Sequence, residues 1–355
     1  MRECKTVIVI PVLNPDNNLI TYIEELIRNG VQKIIVVDDG SDETYKDIFS
    51  LIEKIPQCIL YTHDVNMGKG KALKDALKVY QNERLYEKFD GIITVDADGQ
   101  HSVVDVLKIS EAMNTTDDQL ILGERKFDKD VPLRSRFGNS CTRVIFRLLY
   151  GMKVEDTQTG LRGIPNKLIL QFDDLEGERY EYEMNMLMIC SIKKIKIKSI
   201  NIQTIYLDDN SSSHFNAVKD SFRIYRLLFK NFFKFVVSSL SSSVIDIILF
   251  QMLVIFLKEK SSRYILLSTI GARVFSSIYN FTVNKKIVFN SNNKLGHTII
   301  KYYLLCLIQM LISAGFVTGI YIIVPINETI IKIVVDTILF FISYRIQKSW
   351  IFSKK

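Results

Sequence analysis

At 355 residues the chain has room for two domains on the usual allowance of roughly 100 to 200 residues each. Its net charge of +7 is unevenly placed: Lys and Arg number 14 against 4 Asp and Glu from residue 231 onward, and 32 against 35 before it, so the surplus does not indicate nucleic acid as a partner. The five cysteines, Cys4, Cys58, Cys141, Cys190 and Cys306, show no paired spacing, which suits a reducing compartment and argues against a zinc site.

The first apolar run is short and leads directly into strand-like text, so no signal peptide is expected. Strands are predicted over 6–13 (TVIVIPVL), 33–39 (KIIVVDD), 58–63 (CILYTH), 91–98 (GIITVDAD) and 120–123 (LILG). Helical patterns fill the gaps at Asn17 to Arg28, Asp42 to Glu53, Lys69 to Tyr80 and Val103 to Met113. Such alternation predicts an α/β, Rossmann-like parallel sheet with helices on both faces, whose ligands bind beyond the carboxyl ends of the strands. Asn14, Asp38, Asp39, His63, Asp96 and Asp98 fall at those ends. Asp38, Gly40 and Ser41 could instead form a turn that caps the next helix. That alternative covers one cluster, but not several on one edge.

Residues 214–230 (HFNAVKDSFRIYRLLFK) carry Lys219, Arg223, Arg226 and Lys230 beside an apolar stripe and read as a basic amphipathic helix in a membrane interface. Four apolar segments follow, Phe235 to Leu257, Tyr264 to Phe281, Tyr302 to Val324 and Ile330 to Ile346, each near the ~17 to 25 residues that cross a bilayer. Lys285, Lys286, Lys294 and Lys301 lie between the second and third, and Lys348, Lys354 and Lys355 after the fourth. The positive-inside rule then makes this a multi-pass cell-membrane protein with both the N-terminal domain and the C-terminus cytoplasmic. NFTVNKKIVF (280–289) and SYRIQKSWIF (343–352) align at an offset of 63 residues, which implies two hairpins of one origin in a parallel repeat. At that offset Arg273 falls on Asp336, an expected buried ion pair, with Asp246 a further member.

The strand ends also suggest chemistry. Asp96 and Asp98, one residue apart, can jointly hold a hard divalent ion, Mg²⁺ or Mn²⁺, that keeps diphosphate oxygens in its shell, and Gln100 offers a neutral oxygen beside them. In NMGKGKA (66–72), two glycines and Lys69 open a helix whose free N–H groups and positive dipole end attract phosphate. The spacing matches neither a P-loop nor a dinucleotide fingerprint.

IPVLNP, VVDDGSD, NMGKGKA, DADGQH and GER, in this order, resemble the nucleotide-sugar-binding GT-A domain of family 2 glycosyltransferases. Within it the likeness is to the polyprenyl-phosphate sugar transferases, the dolichol-phosphate mannose synthase and bactoprenol glucosyltransferase branch, over residues 5 to about 210. The resemblance implies inverting transfer of one sugar from a nucleoside-diphosphate sugar, of the GDP-mannose or UDP-glucose type, to a dolichyl or undecaprenyl phosphate. It assigns the donor to Pro11, Asn14, Asp38, Asp39, Lys69, Asp96 and Asp98, and the Mg²⁺ or Mn²⁺ cofactor to Asp96, Asp98 and Gln100. Pro15 stands where the first motif often has an acidic residue, which leaves the base unassigned.

A lipid phosphate is already an anion at neutral pH, so it needs positioning and charge screening more than a general base. Arg125, Arg134 and Arg136, with Ser140, are the expected acceptor-phosphate group, and Asp98, Arg125 and Arg136 the expected catalytic set; any one arginine could instead coat a solvated surface. DTQTGLRG (156–163) and GERYEYEMNML (177–187) resemble the acceptor loop and the helix closing the sugar pocket of this branch, with Asp156, Thr159, Gly160 and Glu183 as the expected residues. The membrane half resembles the GtrA-like family, which implies a four-helix transmembrane domain that anchors or translocates. The expected organisation is therefore a GT-A domain over 1–210, an amphipathic linker over 211–231 and a membrane domain over 232–355. Its partners would be a nucleotide sugar, a polyprenyl phosphate and membrane lipid, with room for a homo-oligomer. Two alternatives are a polysaccharide synthase, whose Q-x-x-R-W element the residues before Trp350 do not supply, and a lipid-sugar flippase using the first domain as scaffold.

Overall fold

The computed structural model describes residues 4–125, 133–203, 219–324 and 327–352, without the side chains of 133–137 and 328–329. The chain forms two compact units, one of residues 1–147 and 152–225, the other of 148–151 and 226–355.

The first unit is built on seven strands: β1 (Thr6–Val12), β2 (Ile34–Asp38), β3 (Cys58–Thr62), β4 (Gly91–Thr94), β5 (Gln119–Arg125), β6 (Arg162–Pro165) and β7 (Lys196–Ile202). They lie in the order β3-β2-β1-β4-β6-β5-β7. Val7 to Ile10 and Ile34 to Val37 are wholly buried, as unbroken apolar runs must be when helices cover both faces of a sheet. The helices are α1 (Asn18–Arg28), α2 (Lys46–Glu53), α3 (Lys69–Asn82), α4 (Val103–Met113), α5 (Leu133–Tyr150), α6 (Asn166–Phe172) and α7 (Glu181–Lys193). Ser102 starts α4 by accepting from the Asp105 amide at 3.1 Å while its hydroxyl donates back to the Asp105 carboxylate at 2.8 Å.

Two expectations change. The sheet is mixed, because β6 runs antiparallel to both β4 and β5. The cause lies in the segment before it. Asp156 is tied to Arg125 at the carboxyl end of β5, so the chain enters β6 from that edge and can only run back. β4 also stops at Thr94, which puts Asp96 and Asp98 in the turn beyond the strand.

The described part of the second unit contains α8 (Lys219–Leu257, which begins in the first unit), α9 (Tyr264–Val283), α10 (Leu295–Ile323) and α11 (Glu328–Ile346). The expected interfacial helix at 214–230 falls partly outside the described residues; from Lys219 on it is continuous with the first apolar segment. Of the four expected spans, α8 and α10 are long and apolar enough to cross a bilayer. Large side chains such as Ile255 (70%) and Ile323 (80%) are exposed, a surface suited to hydrocarbon rather than water.

The repeat is visible in the backbone. α9 and α11 each end in one π-helical turn, at Asn284–Val288 and Gln347–Ile351, which are equivalent segments at the 63-residue offset. The Asn284 amide donates to the Gln347 amide oxygen at 3.1 Å, and the Phe289 and Phe352 rings stack at 5.2 Å. Equivalent residues therefore meet at a local two-fold relation. The expected Arg273–Asp336 pair does not form. Arg273 reaches Asp246 at 3.7 Å, while Asp336 takes Lys332 one turn away at 2.8 Å and the Ser313 hydroxyl at 2.5 Å. Each hairpin has a nearer partner for its own charge.

Candidate active site

The carboxyl edge of the sheet carries three polar groupings. At the end of β2, Asp38 accepts the Ser41 amide at 2.9 Å, which gives the turn of the alternative reading but not its cap, since α2 starts only at Lys46. Asn14, in a left-handed conformation with φ of 51°, donates its backbone amide to the Ser41 hydroxyl and its side-chain amide to the Asp42 carboxylate, and its side-chain oxygen accepts the Asp42 backbone amide. Asp39 is buried; it accepts the Met67 and Gly68 amides at 2.9 and 2.8 Å and touches His63 Nδ1 at 2.8 Å. The other nitrogen of His63 lies 3.1 Å from Asp75, a carboxylate that stands in none of the sequence motifs. Asn14 and Asp39, expected at the donor, thus join the loops after β1, β2 and β3, while Asp38 closes its own turn. Pro11 is half-buried within β1, paired in register with Val37.

The second grouping lies beyond β4. Lys69, the first residue of α3, places its ammonium 2.5 Å from Asp96 and 3.0 Å from Glu183, the latter carried by α7. His101, missed by the site prediction although it ends the DADGQH motif, approaches the other Asp96 oxygen at 3.3 Å. Burial acts to push the Asp96 carboxyl up, but the adjacent Lys69 charge and the His101 contact prevail and hold it well below the usual carboxylate range. Burial would likewise lower Lys69, and the Asp96 and Glu183 charges reverse that, holding it firmly charged. Asp98 is the exception. Burial and the neighbouring Asp96 charge push its carboxyl up, and it accepts the Gln100 amide at 3.1 Å.

Two glycines make this convergence possible. Gly68 has a φ of 101°, and a Cβ there would meet the Glu178 carbonyl at 2.4 Å, so α3 can start against the segment leading into α7. At Gly160 a Cβ would lie 2.3 Å from the Asp96 carboxylate, while its carbonyl accepts the Thr94 hydroxyl at 2.7 Å.

The third grouping fixes the 155–161 loop. The Arg125 fork closes on Asp156 with bonds of 2.6 and 3.2 Å, so this expected phosphate ligand anchors the loop. Asn139 of α5 accepts the Thr157 amide and hydroxyl and donates to the Glu155 carbonyl; in the GNS triplet it is thus Asn139, not the half-exposed Ser140, that touches the loop. Thr159 is buried, its hydroxyl accepting the Leu161 amide. Arg162, wholly buried, donates to the carbonyls of Thr159 and Glu183 at 2.9 and 2.6 Å, tying loop to α7. It stands inside the GLRG motif, where arginine alone gave no sign of burial. Arg134 and Arg136 belong to the first turn of α5, and their side chains lie outside the described residues.

Among the described residues no three His, Cys, Asp or Glu groups converge on one point. Asp98, weakly compensated by the protein, and Gln100 beside it could hold a hard divalent ion that completes its shell from a ligand's phosphate oxygens. Asp96, already engaged by Lys69 and His101, is less available than the sequence suggests.

Residues 7–172 match the glycosyl transferase family 2 domain, and residues 234–352 the GtrA/DPMS transmembrane domain. An uncharacterized protein of Methanocaldococcus jannaschii is 31% identical over 231 residues, 64% of this chain and 92% of its own. The UDP-N-acetylglucosamine–dolichyl-phosphate N-acetylglucosaminyltransferase of Methanococcus voltae is 30% identical, over 62% of this chain and 94% of its own. A dolichyl-phosphate β-glucosyltransferase of Trichomonas vaginalis is 23% identical, over 60% and 69%.

Proposed function

Because the chain belongs to glycosyl transferase family 2 and carries a GtrA/DPMS transmembrane domain, we propose that it transfers one sugar from a uridine diphosphate sugar to a polyprenyl phosphate, with inversion at the anomeric carbon. The first unit is a GT-A domain with a mixed sheet. The observation that carries the reading is the cluster at the end of β4, where Lys69, Asp96, Glu183 and Asp98 converge against the Gly160 loop. The named relatives support the acceptor class and favour glucose or N-acetylglucosamine over mannose.

In this reading Asp98 and Gln100 hold Mg²⁺ or Mn²⁺. The ion, when bound, neutralises charge on the departing diphosphate. Lys69, held between two carboxylates, keeps a fixed positive charge on the donor side of the crevice, which favours phosphate in a partly dry site. Arg162 sets the spacing of Glu183 and the 155–161 loop, so the sugar meets a pocket wall already in place. A phosphate oxygen of the lipid forms the new bond to the anomeric carbon as the bond to the diphosphate breaks on the opposite face. Arg134 and Arg136 would orient that phosphate. The same reading has all four helices of the second unit crossing the cell membrane, with Lys285, Lys286 and Lys348 at the cytoplasmic side.

The test offers radiolabelled UDP-N-acetylglucosamine, UDP-glucose and GDP-mannose with polyprenyl phosphate to the detergent-purified protein, with Mg²⁺, Mn²⁺ or chelator. A metal-dependent lipid product from one UDP-sugar, absent with Asp98→Ala, is expected. No product from any donor overturns the reading.

A further inference from the structure

Helix α5 belongs to both units. Its residues up to Arg147 lie in the first, where Asn139 holds the 155–161 loop and Arg134 and Arg136 stand in the opening turn; Leu148 to Gly151, its last turn and the glycine after it, lie in the second. Helix α8 crosses the same boundary, and the two helices meet on either side of it. In the first unit the Thr142 and Tyr225 hydroxyls are 3.3 Å apart, and in the second the Tyr150 hydroxyl donates to the Leu228 carbonyl at 3.3 Å.

The last carbonyls of a helix have no partner within it and form its negative dipole end, so a cation suits them. Lys348, in the π-helical turn after α11, supplies one. Its ammonium donates to the Leu149 carbonyl at 3.4 Å and lies 3.3 Å from the centre of the Tyr150 ring, with the Tyr344 ring at 5.8 Å. Arg345 joins it. At Gly151, whose φ is 76°, a Cβ would lie 2.6 Å from the Arg345 guanidinium, so glycine is what lets the arginine approach the chain as it leaves α5.

The internal repeat shows that this use of the lysine is not imposed by the fold. Lys285, its equivalent at the 63-residue offset, stands in the other π-helical turn and donates to the Asn293 carbonyl at 2.6 Å, in the loop after its own hairpin. One lysine closes the membrane domain on itself; the other holds a helix that carries the anchor of the 155–161 loop. Ten residues, about 15 Å of continuous helix, separate Leu149 from Asn139. A packed helix of that length carries a displacement at one end to the other.

We propose that Lys348 is a positioning residue for sugar transfer: by clamping the last turn of α5 it fixes the helix that holds the 155–161 loop and that carries Arg134 and Arg136 to the lipid phosphate. The part played by the acceptor rests on the transfer reaction proposed above; the clamp itself does not.

The experiment compares wild type, Lys348→Met, Lys348→Arg and Lys285→Met as full chains in lipid nanodiscs. In Lys348→Met, hydrogen exchange should quicken about fivefold over residues 138–150 and 155–161 and stay as in wild type over β1 to β4. Lys348→Arg, which keeps the charge and can stack on Tyr150, should restore the wild-type rates, and Lys285→Met should leave both segments unchanged. With citronellyl phosphate as acceptor, Lys348→Met should raise the acceptor KM about tenfold while the donor KM stays within about twofold. Simple loss of folded protein does not give that split, because it lowers turnover at every substrate concentration alike. Unchanged exchange over 155–161, faster exchange throughout the first unit, an equal effect of Lys285→Met, no restoration by arginine, or an unmoved acceptor KM would each overturn the proposal. If no donor is turned over, the transfer reaction alone is refuted, and the exchange pattern still decides the clamp.

Discussion

The ends of β2 and β4 lie on one sheet edge and carry the same kind of residues, two acids with a histidine and lysines nearby, yet they are used differently. At β2, Asp38 and Asp39 are satisfied by the backbone amides of Ser41, Met67 and Gly68. At β4, Asp96 is held by the side chains of Lys69 and His101, and Asp98 keeps a carboxyl that burial and its neighbour push up. A carboxylate whose charge is met by amides or by a fixed ammonium is part of the scaffold, whereas Asp98, with one amide set against burial and a like charge, has a charge left for a ligand to compensate.

The most severe way to test that contrast is Asp98→Asn. Turnover should fall about a thousandfold, equivalent to about 4 kcal/mol in the barrier, with the melting temperature within about 2 °C of wild type. Asp39→Ala should do the reverse. It strands the Met67 and Gly68 amides and His63, so denaturant titration should show a loss of about 3 kcal/mol in stability, while kcat of the remaining folded protein stays within about threefold. If Asp39→Ala instead folds normally and loses donor affinity, the two strand ends are functionally alike.

Lys69→Met should lower kcat/KM about a hundredfold and raise the donor KM, since Asp96 and Glu183 then face each other without the intervening charge. The smallest effect concerns acid stability. Burial pushes the Asp75 carboxyl up, but bonds from Lys71, Lys78 and His63 outweigh this and hold it below its ordinary value of 3.8. Stability from a lowered carboxyl is present above that value and is lost as pH falls through the folded one. Thermal scans of Asp75→Asn should therefore show a flatter decline than wild type below about pH 4.

Much of this was legible in the sequence. Each strand from β1 to β5 and each helix from α1 to α4 came from apolar periodicity, which reports burial directly. β6 was not legible, because its four residues, RGIP, form no run and their direction follows from the Arg125–Asp156 tie. The motifs brought Lys69, Asp96 and Glu183 to notice, but not their mutual contact, since convergence of side chains from three elements leaves no periodic trace. The misplaced Arg273–Asp336 pair has a geometric cause. A repeat identifies equivalent positions, and these touch only near the local axis. Arg273 lies eleven residues, about 16 Å of helix, from Asn284, which is on it.

The Asn284–Gln347 contact bears on how such a domain could arise. If each hairpin was once a separate chain that paired with its own copy, the residue at the axis had to complement itself. A lysine or an aspartate would have faced its own charge, and a leucine would have left the interior without a polar fastening. A primary amide carries donor and acceptor together, so it can hydrogen-bond with an identical partner. Duplication and fusion then freed the halves to diverge, and a longer amide on one side against a shorter one on the other, 3.1 Å apart, is the form such a relic would take.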